Sequence, residues 1–325
     1  MSKPPTITVA LPTRDGARYL PEALAGLVAQ DGVVFEVVVS DDRSDDATTA
    51  LVREALGDRA RVSVNPERLG LAGNWNRCVA LSRTPLVAVF HQDDVMKPGH
   101  LAAHLAAFTA EPAVGLIASA ADVIDAEGRE VAPSVVDRGG CGPVDRLYRP
   151  GRFVDELAVG NPLRCSGVTL SAEAHAEVGG FDPNYRYVVD WDFWLRVARR
   201  RPVAWLARPT VAIRWHPASE THRFATGTTD LDETARLLDE LYDPEEPGLT
   251  DPGKSRRSAD RRLARAFLNR AHVALKAKDR PLARRCLGHA VRLSPAIVRE
   301  IALDPKLAMR LATLLLTPRG GVSSE

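Results

Sequence analysis

Three sets of carboxylates stand out in this chain: Asp41-Asp42, Asp93-Asp94, and Asp190 with Asp192. Adjacent carboxylates repel without a cation, and one of them is forced toward its protonated form. A divalent ion shared with a diphosphate removes the conflict, and hard oxygen ligands select Mg²⁺ or Mn²⁺. Other phosphate devices are missing from the sequence. There is no G-x-x-x-x-G-K-[ST] loop, and no G-x-G-x-x-G follows the first apolar run, which counts against a dinucleotide-dependent oxidoreductase. His100 and His104 have the i, i+4 spacing of metal ligands. No Glu follows His100 as in H-E-x-x-H, so the pair reads as a solvated helix face. Cys165 has no nucleophile partners near it in sequence and reads as a small buried side chain.

The elements that must position these acids alternate in type. Residues 6–11, 33–39, 61–64, 86–90 and 114–119 read as strands, and 17–29, 45–56, 72–81 and 98–108 as helices. Short Val/Ile/Leu runs between amphipathic helices predict a mostly parallel sheet covered on both faces. Ligands of such sheets sit beyond the carboxyl ends of the strands. The loops at those ends are 12–16, 40–46 and 91–94, which hold two of the acidic pairs. Residues 120–162 are poorly periodic and are expected to form a long excursion, a mobile lid over one face. Strands over 166–170, 203–206 and 210–215 and helices over 171–178 and 190–199 follow.

Composition is ordinary for a globular chain of 325 residues, with 45% hydrophobic and 26% charged residues. The net charge of +1 hides an asymmetry. Residues 254–292 hold 13 Lys and Arg against Asp260 and Asp279, a net of +11, while 1–253 carry −11. A Pro/Gly/acidic linker at 243–254 marks the change, and helices are expected over 257–277, 280–292, 296–302 and 305–316. Four scattered cysteines without a Cys-x-x-Cys pair read as reduced thiols. No signal peptide and no spanning helix are expected.

The motifs in order carry a resemblance. Val37-Val38-Val39-Ser40-Asp41-Asp42-Arg43-Ser44-Asp45-Asp46 resembles the "VVDDGSxD" signature of family 2 glycosyltransferases of the GT-A fold. Leu11-Pro12-Thr13-Arg14-Asp15 is similar to the family's "PTYN" opening, and residues 67–76 to its "NxGxxxARN" segment. Phe90-His91-Gln92-Asp93-Asp94 stands at the DxD-type metal motif, with His91 in place of the first Asp. Residues 178–182 and 189–196 resemble "GGFDE…EDxDLxxR", with Val189 in place of the Glu. The match covers about residues 5–220.

The resemblance implies a GT-A Rossmann-like α/β fold, to which the helix pattern beyond residue 254 adds a C-terminal all-helical extension. With the linker and the charge change, this divides the chain into a catalytic domain over 1–242 (nucleotide-sugar half 1–120, acceptor half 121–242), the linker 243–254 and a basic helical extension over 255–325. It implies inverting transfer of a sugar from a UDP- or dTDP-sugar to an acceptor hydroxyl, with Mn²⁺ or Mg²⁺. Pro12, Thr13, Asp15, Asp41, Asp42 and Asp93 would line the nucleotide site, and Asp94 and His216 would hold the metal. Asp190 would be the general base, with Asp192 as the second candidate. The alternative is a non-catalytic nucleotide-sugar binder or scaffold with a degenerate metal motif, His91 being its argument. The acceptor, whether glycan, lipid-linked or small molecule, is not legible. The basic extension has three readings: packing on the catalytic domain, docking on anionic lipid headgroups, or a homodimer interface. Nucleic-acid binding is not expected, since interleaved aromatics and a recognisable module are lacking. The expected location is the cytoplasm, with peripheral contact at the inner face of the membrane under the lipid reading.

Overall fold

The computed structural model describes residues 6–131, 141–224, 226–245, 248–303 and 309. The fold is α/β with the GT-A arrangement. The first unit runs through Ser219 and takes in Pro244–Thr250; the second comprises Glu220–Asp243 and the chain from Asp251 onward.

The first unit is built on β1 (Ile7–Thr13), α1 (Leu20–Val28), β2 (Phe35–Asp41), α2 (Thr48–Leu56), β3 (Ala60–Val64), α3 (Gly70–Ala80), β4 (Leu86–Val89), β5 (Val95–Met96), α4 (His100–Ala110) and β6 (Leu116–Ile124). β7 (Arg146–Tyr148), α5 (Val154–Val159), β8 (Val168–Ser171), α6 (Ala172–Val178), α7 (Val189–Arg200) and β9 (Val203–Arg214) complete it. Among the described residues one nine-stranded sheet runs β3-β2-β1-β4-β8-β6-β9-β5, with β7 pairing β9. β3, β2, β1 and β4 are parallel, whereas β8 is antiparallel to both β4 and β6. The chain thus leaves β1 on both sides, to β2 and to β4, which makes the crevice at a topological switch point. Odd residues of β1 (Ile7, Val9, Leu11) pack under Leu20, Leu24 and Leu27 of α1, with Val37 and Val39 of β2 beside them. Each fully buried leucine contributes about 2 kcal/mol.

Several expectations shift in detail. The two strands expected over 203–206 and 210–215 are one, β9, with a register irregularity opposite Ser119–Ala121 of β6. The lid region resolves into β7 and α5, while 132–140 lie outside the described residues. His100 and His104 are fully buried, not solvated. Their face of α4 turns onto the sheet, where His100 Nδ1 meets Thr210 Oγ1 at 2.7 Å and His104 Nδ1 meets Thr169 Oγ1 at 2.8 Å. Burial holds His100 down to about pKa 3 and His104 well below its usual value, so both are neutral.

The second unit is helical: α8 (Glu220–Arg223), α9 (Thr229–Leu241), α10 (Pro252–Lys276), α11 (Arg280–Leu293) and α12 (Ile297–Leu303). Leu231 and Leu238 of α9 share a core with Leu263, Phe267, Cys286 and Ile297. α9 therefore packs with the basic helices, although it precedes the linker and the sequence assigned it to the catalytic domain. The linker is also shorter than expected, because α10 starts at Pro252. Asp251 accepts the Lys254 N–H at 3.0 Å and proline suits the first helical position. The helix expected over 305–316 lies, except for residue 309, outside the described residues.

Candidate active site

The carboxyl ends of β2, β1 and β4 adjoin, and Thr13 pairs directly with Asp41 in the parallel register. Asp41 is buried and meets three donors. It accepts Thr13 Oγ1 at 2.9 Å, the Ser44 N–H at 2.9 Å and Ser44 Oγ at 2.6 Å. Asp42 is equally buried and works on other groups. It accepts Asn65 Nδ2 at 3.1 Å and the N–H groups of Leu69 and Gly70 at 2.7 and 3.0 Å, which satisfies the start of α3. That cap explains why α3 begins two residues before the apolar pattern suggests.

The β1 loop is tied to both neighbours. Asp15 sits at φ 44°, a left-handed conformation that Asp tolerates. Its N–H donates to Ser44 Oγ at 2.9 Å and its Oδ1 accepts the Asp45 N–H at 2.8 Å. On the other side Gln92 Oε1 accepts the Arg14 N–H at 2.9 Å, and Gln92 Nε2 donates to Arg14 O at 2.7 Å. A Cβ at Gly16 would lie 2.2 Å from Gln92 Oε1, so a larger residue there would push the Gln92 amide off Arg14.

The 91–94 loop has a different chemistry. His91, Asp93 and Asp94 each offer an atom within 4.8 Å of the others, the only such group among the described residues. Asp94 is 3% exposed. Burial, and then the neighbouring Asp93 charge, push its carboxyl up to about pKa 8, against the donors Ser166 Oγ and Arg214 N–H. Asp93 is also desolvated, but the hydrogen bond from His216 Nε2 at 3.0 Å and the charge of His91 hold it below its usual range. His216 thus stands behind Asp93 and is not one of the three grouped residues. Its Nδ1 is buried without a hydrogen-bond partner among the described residues.

Three supports of this loop escaped the sequence reading. Ser166 accepts the His91 N–H at 3.0 Å and donates to Asp94, linking β4 to the turn before β8. Buried Arg214 donates through Nε to Asp93 O at 2.9 Å and through NH1 to Asp125 O at 3.1 Å, while NH2 pairs with Glu22. Trp75 lies 5.1 Å from the His91 ring and 5.0 Å from Phe181. Ser166 gave no motif signal, Trp75 stood inside the 67–76 motif without an assigned role, and Arg214 was visible only as the residue two before His216.

Asp190 and Asp192 diverge on the first turn of α7. Asp192 is buried against Arg196, whose Nε approaches both carboxylate oxygens at 3.2 and 3.1 Å and whose NH2 reaches Oδ2 at 2.6 Å. The same guanidinium donates to Val178 O and Gly180 O, pinning the Gly-Gly-Phe-Asp turn. Asp190 is half-buried, and its Oδ2 accepts Asn161 Nδ2 at 2.9 Å. The Cys165 thiol is raised well above its usual range by burial and then by the charges of Asp190 and Asp94, so both carboxylates bear on one buried sulfur. Trp194 is fully buried in the core. Trp191 is also buried and donates Nε1 to Leu157 O at 3.2 Å.

The family model described as "Glycosyl transferase family 2" matches residues 8–156. A relative named Uncharacterized protein MT1568 of Mycobacterium tuberculosis (strain CDC 1551 / Oshkosh) is 30% identical over 252 residues, 75% of this chain and 78% of its own. Among solved structures, S. aureus TarS 1–349 in complex with UDP-GlcNAc superposes with a TM-score of 0.62 at 17% identity, over 95% of this chain and 88% of that one. Mannosyltransferase PcManGT from Pyrobaculum calidifontis, in complex with GDP-Man and Mn²⁺, gives a TM-score of 0.57 at 19% identity, over 96% and 80%. With its motifs in place at the edge of this sheet, the chain belongs to glycosyl transferase family 2 and is a glycosyltransferase, an enzyme that moves sugar from a nucleotide-sugar donor.

Proposed function

We propose that this enzyme transfers the sugar of a UDP- or dTDP-sugar to an acceptor hydroxyl with inversion, with Asp190 as general base and Mn²⁺ or Mg²⁺ held at Asp94. The observation that carries the reading is the meeting of His91, Asp93 and Asp94 at the carboxyl edge of the parallel strands. The donor set fits a cation: a buried carboxylate raised by its neighbour's charge is relieved by one. His216 donates from Nε2 to Asp93, which leaves Nδ1 as the ring atom with a lone pair. Metal-ligating histidines are commonly oriented in this way. The Mn²⁺ complex of PcManGT supports a divalent ion, and the UDP-GlcNAc complex of TarS supports a nucleotide-sugar donor. Such an ion, when bound, neutralises charge on the departing diphosphate.

The chain's own residues do the rest. Pro12, Thr13 and Asp15 border the nucleotide, their loop held by Ser44 and Gln92. Asp41 and Asp42 each accept three hydrogen bonds of about four a carboxylate can take, which leaves one acceptor position for a ring N–H of the base. Asp190, oriented by Asn161, takes the acceptor proton as the hydroxyl oxygen attacks the anomeric carbon. The bond to the diphosphate breaks on the opposite face, and its electron pair leaves with the phosphate. Asp192, closed by Arg196, positions α7. The test is a panel of nucleotide sugars with Mn²⁺, read by release of nucleoside diphosphate and by calorimetry. Binding of UDP in the presence of Mn²⁺ that disappears in Asp94→Asn is the expected result; undiminished affinity in that variant would falsify the metal assignment.

A further inference from the structure

Two departures from the family motifs meet in space. Aligned on Gly70, residues 68–76 carry Trp75 where "NxGxxxARN" has its Arg, and His91 stands at the first Asp of the DxD-type motif. In place of an Arg and an Asp this chain has two aromatic rings, and the rings touch. Their centroids lie 5.1 Å apart at 34°, an offset stack. Trp75 is itself fixed, being 4% exposed with its indole edge-on to Phe181 at 5.0 Å. The main chain of His91 is held too. Its N–H donates to Ser166 Oγ at 3.0 Å, and the same hydroxyl donates to Asp94 Oδ2. Backbone and ring of His91 are therefore both placed by groups outside the 91–94 loop.

This placement brings His91 Nδ1 to 3.9 Å from Asp94 Oδ2. That is too long for a hydrogen bond. It is within the span of one ion, since two bonds of about 2.1 Å, one to nitrogen and one to oxygen, reach up to about 4.2 Å. His216, the other histidine beside the loop, uses Nε2 on Asp93 and lies outside the group of three. Asp93 and Asp94 alone would offer only oxygen, which suits Mg²⁺, whereas an imidazole moves the preference toward the later divalent ions. We infer that His91, positioned by Trp75, is a nitrogen ligand that makes this site select Mn²⁺ or Co²⁺ over Mg²⁺. The ligand role rests on the metal held at Asp94, as proposed above, and narrows the choice of ion.

The test is calorimetry of UDP binding to the full chain with Mg²⁺, Mn²⁺ or Co²⁺, paired with electron spin-echo spectroscopy of the Mn²⁺ complex. Affinity is expected to rise from Mg²⁺ to Mn²⁺ to Co²⁺, and the Mn²⁺ echo to carry the modulation of a directly bound nitrogen. His91→Asp should erase that modulation and lower the Co²⁺-over-Mg²⁺ ratio roughly tenfold, while Mg²⁺-supported binding is kept. Trp75→Leu leaves the ligand without its support and should weaken Co²⁺-supported binding roughly tenfold but not Mg²⁺-supported binding. Trp75→Phe, which keeps a ring against His91, should restore it. A loss of fold would lower all three ions alike, and far-UV dichroism melts check for it. Nitrogen modulation that survives in His91→Asp, or a Co²⁺-over-Mg²⁺ ratio unchanged in that variant, overturns the inference. UDP binding indifferent to every divalent ion defeats the metal assignment itself, and this inference with it. Mn²⁺-dependent binding with no nitrogen modulation defeats the role of His91 alone.

Discussion

The two Asp-Asp pairs at the sheet edge have the same sequence and opposite chemistry. Asp41 and Asp42 end a parallel strand among neutral donors, so each charge is satisfied by hydroxyl, amide and backbone N–H groups. Asp93 and Asp94 share a loop with fewer donors, and burial forces one of them toward neutrality. In the proposed function the first pair builds the pocket and the second is completed by a cation. Hydrogen-bond donors, not the dipeptide, divide the roles.

Predictions that break or sharpen this contrast are ordered by size. The largest concerns the acid outside both pairs: Asp190→Asn should lower turnover by roughly 10³-fold while UDP affinity stays within about twofold. Equal loss of affinity would put Asp190 in the nucleotide site. Next, Asp94→Asn should weaken Mn²⁺-dependent nucleotide binding beyond the roughly 100-fold that loss of an outer-shell partner costs, with no loss of thermal stability. Asp42→Ala, by contrast, should lower fold stability as well as remove the proposed base contact. It strands buried N–H groups of Asn65, Leu69 and Gly70 and should cost about 3 kcal/mol in urea denaturation. If both Asp variants behave alike, the contrast is wrong. Ser166→Ala removes the hydroxyl that joins His91 to Asp94 and should lower Mn²⁺ affinity roughly tenfold by calorimetry.

The smallest effect tests a third polar pair. His100 and His104 stay neutral in the fold, with pKa values depressed by burial, while the unfolded chain protonates them near pH 6.5. The unfolded state therefore binds more protons below pH 6.5, and stability falls as pH drops through that point toward 3. At pH 5.5 each histidine should cost about 1.3 kcal/mol relative to neutral pH. Between neutral pH and pH 5.5 the wild type should lose about 1.3 kcal/mol more stability than His104→Asn, a difference in which the opposite response of Asp94 cancels; an equal loss would remove the pair from the acid response.

Legibility followed the range of the forces. The strand and helix alternation of the first 120 residues, the three loops and the family were readable because period and motif are local. The His100–His104 face was misread, since only the threonines of two distant strands make a buried imidazole acceptable there. Ser166 had no signal and Trp75 no assigned role, because each acts on a residue some 75 or 16 positions away in the chain. The boundary near 250 was visible in charge, but the place of α9 was decided by Leu231 and Leu238 meeting the hairpin core.

The sequence alone determined the parallel strands, the acidic loops at their ends and the family to which they belong. Only tertiary structure decided which donors meet each acid, and that Asp192 belongs to Arg196 and Asp190 does not. Hydropathy and motif are properties of neighbouring residues, whereas a carboxylate's role depends on donors and charges that folding brings in from elsewhere.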